Sequence, residues 1–279
     1  MVTKLLNAEE TSSYREEGFF LPINILNETQ VEHYRDKLES FETKSGKAIQ
    51  GSHRSNSHLL FTWIDELVRH PAILDAVEDI IGPDILCWNT LWWIKEPQSR
   101  SFVSWHQDVR YWGLDTDELV NVWLALSPAT IESGCMKVLP GSHKGEILPH
   151  IDKYESDNLL TRGQEIDAPI DKNSAVAMEL KPGQISLHNV RIAHGSGPNR
   201  TNDRRIGLSI QYIPTIAKQL AVEWDCASLC RGKDEFGHFE IAPSPKHDLD
   251  EQARKFHERA ANATRDILFK GAEQVRPLI

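Results

Sequence analysis

A mainly β chain with flanking helices, its strands closing into a barrel or sandwich, is what the sequence predicts. Three observations carry that reading. Between residues 85 and 213 the chain breaks into short β-prone runs separated by Gly, Pro, Asn and Asp, the punctuation of many short strands. No long helical segment separates those runs, which argues against the alternating order of a parallel α/β sheet. Helical patterns gather at the two ends instead. The 279 residues suit one domain: a helical part over 1–83, a strand core over 84–215, and an extension with a closing helix over 216–279.

The elements follow in order. Asn7 caps a first helix, with Glu9 and Glu10 in the turn where the helix dipole favours acids, and Gly18 ends it. Phe19, Phe20 and Leu21 read as a strand. Asn27 caps a second helix, in which Val31, Tyr34, Leu38 and Phe41 form one buried stripe. Residues 44–58 are polar with two glycines. They read as a solvated connector, or as a lid or cofactor-contact loop that contributes Arg54 or His58. Pro71 opens a third helix with an apolar face of Ile73, Leu74, Val77, Ile80 and Ile81, and Gly82-Pro83 stops it. Strands are expected over 85–95, 102–108, 119–127, 137–140, 175–179, 184–187 and 205–213, and a helix over 248–269.

Composition narrows the class. The net charge of −10 argues against nucleic acid and against a polybasic membrane anchor as partners. Four cysteines without paired metal-knuckle spacing read as reduced thiols. The N-terminus has no apolar signal-peptide core and no stretch approaches membrane-spanning length, so a cytoplasmic location is expected.

Two segments carry chemistry. In FVSWHQDVR, residues 102–110, an extended strand would point His106 and Asp108 to one face. An imidazole and a carboxylate so placed can take two adjacent positions on an octahedral metal. A second imidazole would complete a facial triad with three positions open, the arrangement that suits non-haem iron(II). Either His188 or His194 can supply it from KPGQISLHNVRIAHGSGPNRTNDRRIGLSIQY, residues 181–212. Further along that run, Arg205, Gly207 and Ser209 share one strand face, a guanidinium beside two small residues, which leaves room for a carboxylate ligand.

SWHQD, then VWLALSPATIESGCMKVLPGSHKG, then HGSGPN followed by the arginine resemble the phytanoyl-CoA dioxygenase (PhyH) family of Fe(II)/2-oxoglutarate-dependent oxygenases over roughly residues 8–215. The resemblance implies a double-stranded β-helix, the cupin-like jelly roll. It implies His106, Asp108 and His194 as the iron ligands, with His194 chosen over His188 because the family's histidine directly precedes the GSG-like turn. It implies Arg205 and Ser196 on the distal carboxylate of 2-oxoglutarate and Trp123 lining that co-substrate's pocket. The cofactors implied are Fe(2+) and 2-oxoglutarate, with ascorbate as a supporting reductant, and the partners are O2 and a small-molecule substrate. Because Asp108 stands where related halogenases carry a small residue, hydroxylation of an unactivated C–H bond is favoured over halogenation.

For the substrate, the pattern is similar to bacterial members that hydroxylate 2-aminoethylphosphonate or its N-methylated analogues. The rivals are an oxygenase tailoring a larger natural product or an acyl-CoA, and a non-catalytic cupin-like binding protein. Trp88, Trp92, Trp93, Trp105 and Trp112 crowd the first metal strand, either as core or as pocket walls able to hold an ammonium group. Arg110 and Tyr111 are candidates to meet an anionic group of the substrate. His188 is expected near the iron without binding it, and His143 in a structural turn.

Overall fold

The structure, a computed structural model, describes residues 4–276; residues 1–3 and 277–279, at the outer ends of the expected helical part and extension, lie outside the described residues. The first half of the chain forms α1 (Ala8–Glu17), β1 (Phe19–Asn24), α2 (Glu28–Ser45), α3 (Thr62–Val68), α4 (Pro71–Ile81), β2 (Ile85–Lys95), β3 (Val103–His106), α5 (Val109–Trp112), β4 (Val120–Ala125) and β5 (Met136–Val138). The second half adds β6 (His150–Asp152), β7 (Gln164–Ile166), β8 (Val176–Ala177), β9 (Gln184–Asn189), β10 (His194–Ser196), β11 (Arg205–Pro214), β12 (Cys226–Arg231), β13 (Glu240–Ile241) and α6 (Glu251–Leu268).

Seven strands pair in the order β1-β9-β4-β11-β2-β12-β13, four in the order β3-β10-β5-β8, and β6 pairs with β7. The two larger sheets form the double-stranded β-helix. Both early helices start as their sequence signals require. The Asn7 and Asn27 side chains accept the backbone N–H of Glu10 and Gln30, and those residues' side chains accept the asparagines' own N–H in return.

The large sheet has two unlike faces. Ile206, Leu208 and Ile210 of β11, with Val122 and Leu124 of β4 and Ile185 and Leu187 of β9, face the helices. They form one cluster with Leu38, Ile64, Leu67, Ile73 and Val77, none of which keeps exposed surface. Each such side chain contributes about 1.5–3 kcal/mol by leaving water. The alternate residues face inward and are mostly polar: Arg205, Ser209 and Gln211 on β11, Asn121 and Trp123 on β4, Ser186 and His188 on β9. A bulge in β2 skips Trp88 between the pairs Asn89–Gln211 and Cys87–Tyr212. It turns both Trp88 and Asn89 toward the interior cavity.

The structure corrects several sequence expectations. The strand expected over 102–108 ends at His106, and Asp108 already has helical dihedrals as the residue before α5. The strands expected over 137–140 and 175–179 shrink to β5 and to the two residues of β8. Helix α3, the strand pair β6–β7 and the strands β10, β12 and β13 were not anticipated. The segment 44–58 divides: residues 44–48 are exposed, as a connector would be, but Arg54, Ser55, Asn56, Ser57 and His58 are all buried, the last four held by Asn89 and Thr90 of β2 and by His257 of α6.

Tyr212 offers a test of how the sheet is tied to its helical cover. Its hydroxyl, with no exposed surface, donates to the Val68 carbonyl at 2.8 Å, one of the carbonyls that the end of α3 leaves unpaired. Tyr212→Phe is expected to lower stability by about 1–2 kcal/mol, by stranding that acceptor. Urea unfolding should show a lower midpoint at an unchanged slope.

Candidate metal centre and co-substrate cavity

His106 ends β3 and His194 begins β10, and antiparallel pairing sets the two residues directly opposite each other. Their ring centroids are 4.1 Å apart. Asp108 reaches the same point from the turn after β3, not from a continued strand, with Oδ1 3.1 Å from His106 Nε2 and Oδ2 4.0 Å from His194 Nε2. One ligand atom from each of the three side chains lies within 4.8 Å of the others.

The surrounding hydrogen bonds fix how these groups present themselves. His106 Nδ1 lies 2.9 Å from the Ser104 carbonyl, and His194 Nδ1 lies 3.0 Å from that of Ile192. A carbonyl only accepts, so each Nδ1 carries the proton and each Nε2 turns its lone pair toward Asp108. Asn121 Nδ2 donates to Asp108 Oδ2 at 2.9 Å, which orients the carboxylate. Burial pushes the Asp108 pKa up, but His194 and His106 outweigh burial and bring it down to about 2. Burial, with His106 beside it, lowers that of His194 to about 4. At neutral pH Asp108 is thus a carboxylate and His194 a neutral imidazole, the protonation a divalent metal needs. The donor chemistry fits iron(II) with three positions left for exogenous ligands.

His188 of β9 stands next to the set, its ring 5.3 Å from that of His194, but is not one of the three converging groups. It is buried and its Nδ1 has no hydrogen-bond partner.

The triad opens onto a cavity whose other end holds Arg205, Ser196 and Trp123. The Arg205 guanidinium is buried, lies 5.4 Å from the Trp123 ring centroid and donates from Nη1 to the Gly134 carbonyl at 3.0 Å. Its Nε has no partner, and no carboxylate pairs with it among the described residues. An unneutralised buried guanidinium is costly, and a carboxylate ligand would relieve it. Gly207 makes room for the Trp123 ring: a Cβ there would stand 1.9 Å from it.

Of the clustered tryptophans, Trp88, Trp93 and Trp112 line the cavity, while Trp92 belongs to the core beneath the helices. Arg54 lines it too, its guanidinium 4.8 Å from the Trp93 centroid. Arg110 and Tyr111 are not brought to this cavity. They line a neighbouring cleft with His150, Asp152 and Arg162, separated by Ile267, which borders both. His143 holds the Arg15 carbonyl under the α1 terminus, as a turn residue would. Reasoning from sequence missed Asn121 as the Asp108 partner, Lys95 beside Ser196, and Thr264, Ile267 and Leu268 of α6 as cavity wall. The polar inward position of Asn121, two residues before Trp123, was the one available signal.

A β-helix with a histidine–aspartate–histidine cluster facing a buried arginine defines a jelly-roll metalloprotein of the oxygenase kind. The phytanoyl-CoA dioxygenase (PhyH) family model matches residues 14–207. A probable alpha-ketoglutarate-dependent hypophosphite dioxygenase of Stutzerimonas stutzeri is 34% identical over 175 residues, which are 62% of this chain and 60% of that protein. The human peroxisomal phytanoyl-CoA dioxygenase is 28% identical over 75% of this chain and 68% of its own length. Among solved structures, the apo form of the non-heme monooxygenase ThoJ superposes with a TM-score of 0.79 at 34% identity, covering 91% of this chain and 98% of the other. The chain belongs to the phytanoyl-CoA dioxygenase family of Fe(II)/2-oxoglutarate-dependent oxygenases. No helix among its described residues is long and apolar enough to cross a membrane.

Two measurements test the centre. Burial lowers the pKa of His188 to about 3 and that of His194 to about 4, so between pH 4 and 6.5 the unfolded chain binds protons that the folded chain refuses. Stability of the metal-free protein should therefore fall as pH drops below about 6.5, and His188→Gln should flatten that slope in thermal melts. Asn121→Ala should weaken metal binding by about 10–100-fold, the usual cost of losing an outer partner, read by titration of Fe(II) without oxygen.

Proposed function

We propose that this protein hydroxylates an unactivated C–H bond of a small polar metabolite, with Fe(II) held by His106, Asp108 and His194 and with 2-oxoglutarate as co-substrate. The observation that carries the reading is that one cavity has a three-ligand metal donor set at one end and an unneutralised buried guanidinium at the other. When bound, iron and 2-oxoglutarate supply the oxidising power drawn from O2; the chain supplies position and a dry site. Arg205 and Ser196 take the distal carboxylate, and Trp123 forms the wall beside it. Asn121 and the two backbone carbonyls hold the ligand atoms in place, so no reorganisation is needed when substrate arrives.

The first candidate substrate is 2-aminoethylphosphonate or an N-methylated analogue. The faces of Trp88, Trp93 and Trp112 suit an ammonium head, and Arg54 lines the same space for a phosphorus oxyanion. The relative named for hypophosphite also points to phosphorus oxyanions as a class. Arg110 and Tyr111, in the adjoining cleft, would meet only a longer substrate whose second, anionic end reaches past Ile267. Ascorbate serves as supporting reductant, and the site of action is cytoplasmic.

Succinate formation from 2-oxoglutarate with Fe(II), O2 and ascorbate tests the reading. The panel is aminophosphonates, hypophosphite, quaternary amines, amino acids and acyl-CoAs, and the aminophosphonates should give the highest coupled rates. If no substrate elicits succinate and no iron–2-oxoglutarate charge-transfer band forms without oxygen, the oxygenase reading fails. Highest rates with acyl-CoAs would overturn only the substrate. Asp108→Ala should cut turnover by more than about 100-fold, beyond the loss of an outer partner; full activity in that variant would refute the ligand assignment.

A further inference from the structure

Lys95 ends β2 with no exposed surface, a place lysine takes only when something inside holds it. No carboxylate meets it among the described residues. Its Nζ donates to the Ser196 hydroxyl oxygen at 2.7 Å, to the Gly134 carbonyl at 3.2 Å and to the Gly197 carbonyl. Its register partner across the sheet is Arg205, which donates to the same Gly134 carbonyl. Two buried basic groups thus stand side by side, with Cys135 acting on both. Burial and Arg205 together push the Lys95 pKa down to about 6, so an anion entering beside it is what restores the ammonium.

The hydroxyl geometry says what this arrangement is for. With a carboxylate bound beside it Lys95 is an ammonium, which has no lone pair, so in the Lys95–Ser196 bond the serine oxygen then accepts. The single hydroxyl hydrogen is then directed away from Lys95, and Ser196 lines the cavity without another hydrogen-bond partner. A donor polarised by a neighbouring cation and aimed into a cavity beside a guanidinium is suited to a carboxylate.

We propose that Lys95 is a positioning residue for the co-substrate: it fixes the Ser196 hydroxyl as a donor into the cavity and, with Arg205, makes the pocket select a dicarboxylic 2-oxo acid over a monocarboxylic one. This rests on the 2-oxoglutarate reading above. The step is non-covalent; the carboxylate accepts from Ser196 and Arg205, and Lys95 acts through Ser196.

Calorimetric titration of the Mn(II)-loaded protein with 2-oxoglutarate, and with 2-oxobutyrate as the monocarboxylic control, tests it without turnover. Lys95→Met should weaken 2-oxoglutarate binding by roughly tenfold or more while leaving 2-oxobutyrate within about twofold. Ser196→Ala should cost markedly less in the Lys95→Met background than in the wild type, because the two residues act as one unit. If Lys95→Met does not fold, Lys95→Gln, which keeps an N–H donor but not the ammonium, should show a smaller loss of preference of the same sign, and no loss would overturn the proposal. A variant that melts lower yet keeps the wild-type preference, or penalties that simply add, would overturn the proposal and leave Lys95 a prop for the Gly134 and Gly197 turns. A wild-type protein that binds no 2-oxoglutarate would instead overturn the reading on which the proposal rests.

Discussion

Strand β11 imposes the constraint on which the rest depends. Side chains alternate across a pleated strand, so its even-numbered residues from Ile206 to Ile210 must go one way and Arg205, Ser209 and Gln211 the other. The apolar set is buried beneath α2, α3 and α4, and this fixes the register of the strand. Slipping by one residue would put isoleucines in the cavity and a guanidinium among leucines. The hydrophobic contact that stabilises the fold is therefore also what points Arg205 toward the metal ligands, and the same holds for Val122 and Leu124 against Asn121 and Trp123 on β4.

The interior face tolerates charge because each charged group is held by geometry. Asp108 stays ionised between two histidines and an amide donor, burial keeps the His194 imidazole neutral, and both histidines donate Nδ1–H to backbone carbonyls. At the far end the balance is open: Lys95 and Arg205 are basic groups with only carbonyls and a hydroxyl around them. Buried polar networks are costly when half satisfied, and this one is half satisfied on the side that faces the cavity. A site of this kind is completed by its ligand rather than by the chain alone.

Much of this was legible in the sequence for physical reasons. Turn residues between short runs exposed the strand-rich centre, and the asparagine caps fixed the starts of α1 and α2. His106 and Asp108 were read as neighbours on a continuous strand; they are neighbours, but through the turn from the end of β3 into α5 and not through strand alternation. His188 and His194 could not be separated by strand alternation, being six apart and of the same parity. It took the pairing of β10 with β3 to set His194 opposite His106 and leave His188 on the other sheet. Long-range placement was hidden altogether. Lys95 looked like the ordinary charged end of a strand, the polar string 44–58 gave no sign that Thr90 and α6 would bury its last five residues, and nothing marked 264–268 as cavity wall.

That last feature separates two kinds of information along the chain. The metal-facing residues and Arg205 all lie within the stretch matched by the family model, residues 14–207, whereas Thr264, Ile267 and Leu268 come from a helix more than forty residues beyond it. The helix packs mainly on α5 and on residues 57–59, away from the paired β3 and β10 strands. Its last turn can change in bulk and polarity while the reactive centre keeps its geometry. Descent can then redirect such a protein to a new molecule by editing its tail and leaving the reaction untouched.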